Sequence, residues 1–164
     1  TGKTVVASLY GETLCNTVHN STLNQERYPS EKMITQAIAH DSANAAYFYR
    51  LAEVRIQERD LAMARVVDLE TEQRLKKRVT RALEQTVQRN PLDGRIWVRL
   101  GWEYTFFWQD PDYHQKWLPM ADRAMELAVS QVGSKHASLH EEVGNYRVMR
   151  SSRSTRHRIN GKNS

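Results

Sequence analysis

His136 and His140 stand four residues apart, the spacing at which two imidazoles on one helix face can share a metal ion. Glu141 and Glu142 follow them, but the order is not H-E-x-x-H, and the sequence places no third or fourth ligand beside them. The plainer reading gives His140 a packing position and leaves His136 in water, so no metal is assigned. "TGKT" at Thr1–Thr4 ends as a phosphate-binding loop ends, without the upstream glycine and strand that would complete it. No nucleotide site is assigned either. The run "RLKKRVTR", Arg74–Arg81, offers cations to nucleic-acid phosphates. On a helix, however, it turns Leu75 and Val79 inward and leaves the rest in water near Glu70, Glu72 and Glu84. No Ser-His-Asp, paired-carboxylate or Cys-His arrangement can be assembled. The chain reads as non-enzymatic, with no catalytic residue and no cofactor.

Aromatic density is the more unusual feature. Eight of the 14 aromatic residues fall between Trp97 and Trp117, all four tryptophans among them. Helical spacing assigns Trp97, Tyr104 and either Phe107 or Trp108 to a packing face. Trp102 and Phe106 lie off that face with Val98, and are the aromatics most available to a partner.

The elements that hold these residues are helices. Gly and Pro are scarce, at 7 and 4 of 164 residues, which disfavours a β-sandwich or barrel. That length suits one ordinary domain with a core of its own. The single cysteine, Cys15, excludes an internal disulfide framework, and no apolar run is long enough to span a membrane. Six basic residues and no acid follow Val143, so the remaining 18 basic and 19 acidic residues leave a body charge of −1. Basicity belongs to the tail, 150–164, whose Ser, Arg, Asn and Gly are expected to be disordered.

Apolar periodicity predicts helices over about 4–18, 30–40 with Ser30 as N-cap, 44–64, 69–89, 93–108, 113–131 and 136–149. Asp110-Pro111-Asp112 reads as a turn, and Pro119 should kink or restart the helix that follows. One pattern recurs. Trp97, Leu100, Gly101 and Tyr104 form W-x2-L-G-x2-Y after Asn90-Pro91, and Phe48, Leu51 and Ala52 repeat its spacing 49 residues earlier. His140, Val143 and Gly144 repeat it 43 residues later. A small residue at each site would let a neighbouring helix approach closely.

Helix pairs joined through Asn-Pro and opened by W-x2-L-G-x2-Y resemble tetratricopeptide repeats, over roughly residues 4–149. "RAMELA" at Arg123–Ala128 and "TQAIAHDS" at Thr35–Ser42 resemble the family's second-helix signature, with Ala124 and Ala37 as its small residues. The steps exceed the family's 34 residues, and Ser42 and Ser134 stand where Pro is usual. The resemblance implies an all-α, right-handed superhelical stack of about seven helices over 1–149. It also implies a concave groove for a protein or peptide partner. Groove positions map to Tyr49, Glu53, Val98, Trp102, Thr105, Glu141 and Asn145, with Arg50, Arg99 and Phe106 beside them.

The function expected is therefore that of an interaction scaffold. One alternative is the extracytoplasmic repeat domain of a bacterial cell-envelope or polysaccharide-assembly protein. A chain that starts at Thr1 could have lost an upstream signal or anchor, and this slightly favours a periplasmic or membrane-anchored setting. Nucleic-acid binding through Arg74–Arg81 and the tail ranks below both.

Overall fold

The computed structural model describes residues 27–65, 67–132 and 137–160, with side chains described for 31–65, 67–130 and 137–152. All regular structure among them is helical: α1 Arg27–His40, α2 Ala45–Met63, α3 Leu69–Arg89, α4 Gly94–Thr105, a π-turn Tyr113–Trp117, α5 Leu118–Val132 and α6 Ala137–Asn160. The chain divides after Pro91 into two compact units. The expected helix over 4–18 lies outside the described residues.

Local chemistry sets the helix starts. Asn44, Asp68 and Asp93 precede α2, α3 and α4, and each side chain accepts a hydrogen bond from a first-turn N–H: Ala46 at 3.1 Å, Thr71 at 2.8 Å and Arg95 at 3.1 Å. These bonds satisfy backbone donors that an α-helix leaves without partners. α1 begins at Arg27, three residues before the expected N-cap Ser30. Pro29 is compatible with that start, because a first-turn residue needs no intrahelical N–H bond.

In the first unit α1 packs on α2 and α2 on α3. The α2–α3 pair is antiparallel. Arg89, at the end of α3, donates to Ser42 O at 2.6 Å and lies 3.7 Å over the Phe48 ring near the start of α2. Earlier on α3, Arg78 donates to Glu58, further along α2, at 2.9 Å. Glu31 of α1 draws the three helices together by accepting from Arg55 at 3.0 Å and from Arg78 at 2.9 Å. Burial opposes ionisation of Glu31, but these guanidiniums outweigh it and hold its carboxyl below the usual range. Tyr47, Leu51, Ala52, Val79 and Leu83 are buried, as the apolar stripes require.

In the second unit α4 packs on α5, and α6 packs on both. A methyl group added at Gly101 would come within 2.8 Å of Met125 Cε and 3.3 Å of its Cγ, so the absent Cβ is what lets α5 pack there. Phe107 stacks on Trp117 with centroids 3.9 Å apart, and Tyr104 lies 6.0 Å from the same ring. The expected turn is present: Tyr113 N–H donates to Asp110 O and Asp112 N–H to Asp110 Oδ1, both at 2.9 Å. Pro119 has no N–H with which to continue an α ladder. Leu118 N–H bonds instead to Tyr113 O, five residues back, and α5 starts there.

Four expectations change in this unit. α4 ends at Thr105 rather than near 108, and Phe106–Gln109 form a turn. His140 is exposed rather than packed. The buried face of α6 is Leu139, Val143 and Tyr146: Val143 is buried as the repeat requires, but Leu139 takes the inward position expected of His140. Nothing lies within 4 Å of a Cβ built at Gly144, so that small residue serves no close helix approach, unlike Gly101. Finally, α6 does not end near 149. It continues to Asn160 through most of the segment assigned to the tail, with the Ser151 and Ser152 hydroxyls bonded back to Arg147 O and Val148 O. After Gly144 no proline or glycine occurs before Gly161.

Candidate partner-binding surface

Side chains of the second unit build an aromatic surface around Trp102. Trp102 is half-buried, and its ring meets Tyr146 of α6 edge-on at 5.7 Å, a favourable aromatic geometry. Tyr146 is in turn fixed from below. Its hydroxyl donates to Asp122 Oδ1 of α5 at 2.5 Å. Arg150 donates to both Asp122 oxygens, at 3.0 and 2.8 Å, in the bidentate geometry that guanidinium and carboxylate favour.

The electrostatics agree with that geometry. Burial opposes ionisation of Asp122, yet hydrogen bonds from Arg150 and Tyr146 bring its carboxyl below the usual range. Burial, then the bond to Asp122, pushes the Tyr146 phenol well above its ordinary value, so it stays protonated and donating. Trp102 thus rests on a support whose atoms are locked to two other helices.

Phe106 caps α4 one turn further on and is 43% exposed, and Trp108 is 60% exposed. Spacing left Phe107 and Trp108 as alternatives for the packing face; Phe107 is buried and Trp108 is outside. Arg99 is exposed and approaches buried Glu103 at 3.4 Å. Their i, i+4 spacing was the available signal for this pair, which the sequence reading missed. Glu141 and Asn145 are exposed on α6. Two of the mapped groove positions are not surface. Val98 is 3% exposed, and Thr105 is buried with its hydroxyl donating to Trp102 O at 2.7 Å.

The remaining mapped positions are on α2 in the first unit. Tyr49 is exposed, and Arg50 and Glu53 form a partly exposed ion pair at 2.7 Å. Two of the five cations in the basic run of α3 are committed within their own unit, and Arg74, Lys77 and Arg81 are exposed. Lys76 is buried and bonded to Glu72, and Arg78 bridges Glu31 and Glu58. Lys76 and Thr80 are buried along with Leu75 and Val79, so the inward face is wider than expected.

Among the described residues, no group of three or more His, Cys, Asp or Glu could hold a metal ion, and no helix is long and apolar enough to cross a membrane. His136 of the candidate pair lies outside the described residues. No protein-family model matches the chain, and no curated protein matches it significantly in sequence.

Tyr146, Asp122 and Arg150 did not stand out in the sequence. Tyr146 and Arg150 are four apart on one helix face, but Asp122 sits on a different helix, a pairing that periodicity cannot supply.

Proposed function

We propose that the chain is a non-enzymatic interaction module, of tetratricopeptide kind, that takes a protein or peptide partner on the surface formed by Trp102 and Phe106. The observation that carries this reading is the supported position of Trp102, half-buried and held edge-on by a Tyr146 that is itself hydrogen-bonded to Asp122. A tryptophan held this way offers much contact area while losing little further side-chain entropy on binding. Phe106 extends the apolar area, and Arg99, Glu141 and Asn145 supply polar contacts of the kind found at interface rims. Tyr49, with the Arg50–Glu53 pair, offers a second surface of similar composition on the first unit. The reading assigns the module neither a cofactor nor a catalytic residue.

Selection of a random phage-displayed peptide library on the whole chain tests the proposal. Recovered peptides are expected to lose at least about tenfold in affinity with Trp102→Ala or Phe106→Ala, a tenfold loss corresponding to about 1.4 kcal/mol. Leu61→Ser, at an exposed position on the first unit, should leave binding unchanged. Peptides that bind all three variants as they bind wild type would refute the assignment.

A further inference from the structure

Six basic residues and no acidic residue lie between Val143 and Ser164, and the structure places most of this segment on a helix. α6 runs unbroken from Ala137 to Asn160. Its first half is anchored, through buried Leu139, Val143 and Tyr146 and through Arg150 on Asp122. Beyond Arg150 the helix carries Arg153, Arg156 and Arg158, and Arg147 is exposed just before it. The cations are thus carried on a formed helix, and less ordering entropy remains to be lost on binding than from a coil.

Composition selects the occupant. From Ser151 to Arg158 the sequence is SSRSTRHR, with no aliphatic or aromatic hydrocarbon side chain. A helix that lies in a membrane surface needs an apolar face to bury, and from Ser151 to Asn160 the one large apolar residue is Ile159. Arg, Ser, Thr and Asn are instead the residue types that contact phosphate oxygens and base edges. An α-helix with its side chains is about 10–12 Å across, which matches the major groove of B-form DNA, about 12 Å wide. The major groove of duplex RNA is too deep and narrow for side chains to read. The other basic run, on α3, has Lys76 and Arg78 committed to Glu72, Glu31 and Glu58. Its exposed Arg74, Lys77 and Arg81 share the helix with Glu70, Glu72 and Glu84, whereas no acid follows Val143 on α6. We propose that the C-terminal half of α6 is a docking helix for duplex DNA, separate from the Trp102 surface and acting mainly through the phosphate backbone.

The test is fluorescence anisotropy of a labelled 20-base-pair DNA duplex titrated with the whole chain. Three to four phosphate contacts predict an affinity loss of about 40- to 150-fold between about 50 mM and about 200 mM salt. The triple variant Arg153→Gln/Arg156→Gln/Arg158→Gln should bind at least about tenfold more weakly at low salt and show a much shallower salt slope. Ser154→Asp/Thr155→Asp, which adds two negative charges to the same segment, should weaken binding without removing an arginine. Arg74→Gln/Lys77→Gln/Arg81→Gln on α3 should leave binding unchanged, and circular dichroism establishes that each variant is folded. Any of four results would overturn the proposal. These are no binding at low salt, full binding by the triple variant, loss of binding in the α3 variant, and tighter binding to an RNA duplex or to acidic phospholipid vesicles than to DNA.

Discussion

The Tyr146 hydroxyl donates to Asp122 while the buried Tyr113 hydroxyl of the same unit has no hydrogen-bond partner among the described residues. Removing the two oxygens should therefore have opposite consequences. Tyr146→Phe deletes a bond to a charged acceptor and should cost about 1–2 kcal/mol. Tyr113→Phe removes a buried polar atom that gains nothing from the fold, and should be neutral or stabilising by up to about 1 kcal/mol. Urea unfolding of both variants decides the matter, and equal destabilisation would contradict the assignment of partners.

The same tyrosine makes a prediction at alkaline pH. Its folded-state pKa is raised above an ordinary value of 10.0 by burial and by Asp122. The resulting stabilisation is fully present below pH 10 and declines as pH rises from there toward the folded pKa. Wild-type stability should fall more steeply than that of Tyr146→Phe between about pH 9.5 and about pH 11.5. Parallel curves would mean the phenol titrates alike in the folded and unfolded chain.

At the acid end the first unit answers to Glu31. Its pKa is lowered from 4.5 by Arg55 and Arg78 against the opposing effect of burial. A depressed carboxylate contributes stability above its unfolded pKa and loses it as pH falls through the folded one. Glu31→Gln should therefore destabilise the chain by about 1–2 kcal/mol at pH 7. The gap to wild type should close as pH drops below about 4.5. A gap that persists to about pH 2 would show that packing, not charge, was lost.

Two glycines on helices separate helix propensity from packing. Gly144 has open space where a Cβ would go, so Gly144→Ala should stabilise by about 0.5–1 kcal/mol. Gly101→Ala gains the same propensity but must displace Met125, and its net effect should be at least about 1 kcal/mol less favourable than that of Gly144→Ala. Thermal melts of the two single variants compare them directly.

These cases also mark how far the sequence could be read. The Asn90-Pro91 stop and the apolar stripes placed α2, α3 and α4 within a few residues, because each is a local property of the chain. The N-cap read at Ser30, by contrast, lies inside α1, and the start expected at Tyr113 falls on the π-turn before α5. Local information does not say how many sides of a helix are covered. Val98 and Thr105 therefore passed for surface, and His140 for core, when the repeat spacing was carried onto α4 and α6. α6 outlasted its expected end because composition argued for disorder, while helix-compatible Arg and back-bonded Ser allow the helix to continue. The Asp122 cluster was invisible for a further reason: it joins residues 24 and 28 positions apart on two helices.

Met125 pressed against Gly101 has a chemical corollary. Its thioether is buried, and no space separates it from the α4 backbone. Conversion to the sulfoxide would add a polar oxygen where the packing admits none. While the hairpin is closed, peroxide cannot reach the sulfur. Oxidation at Met125 therefore proceeds through opened molecules, and its rate, read by mass spectrometry, clocks how often α4 and α5 come apart.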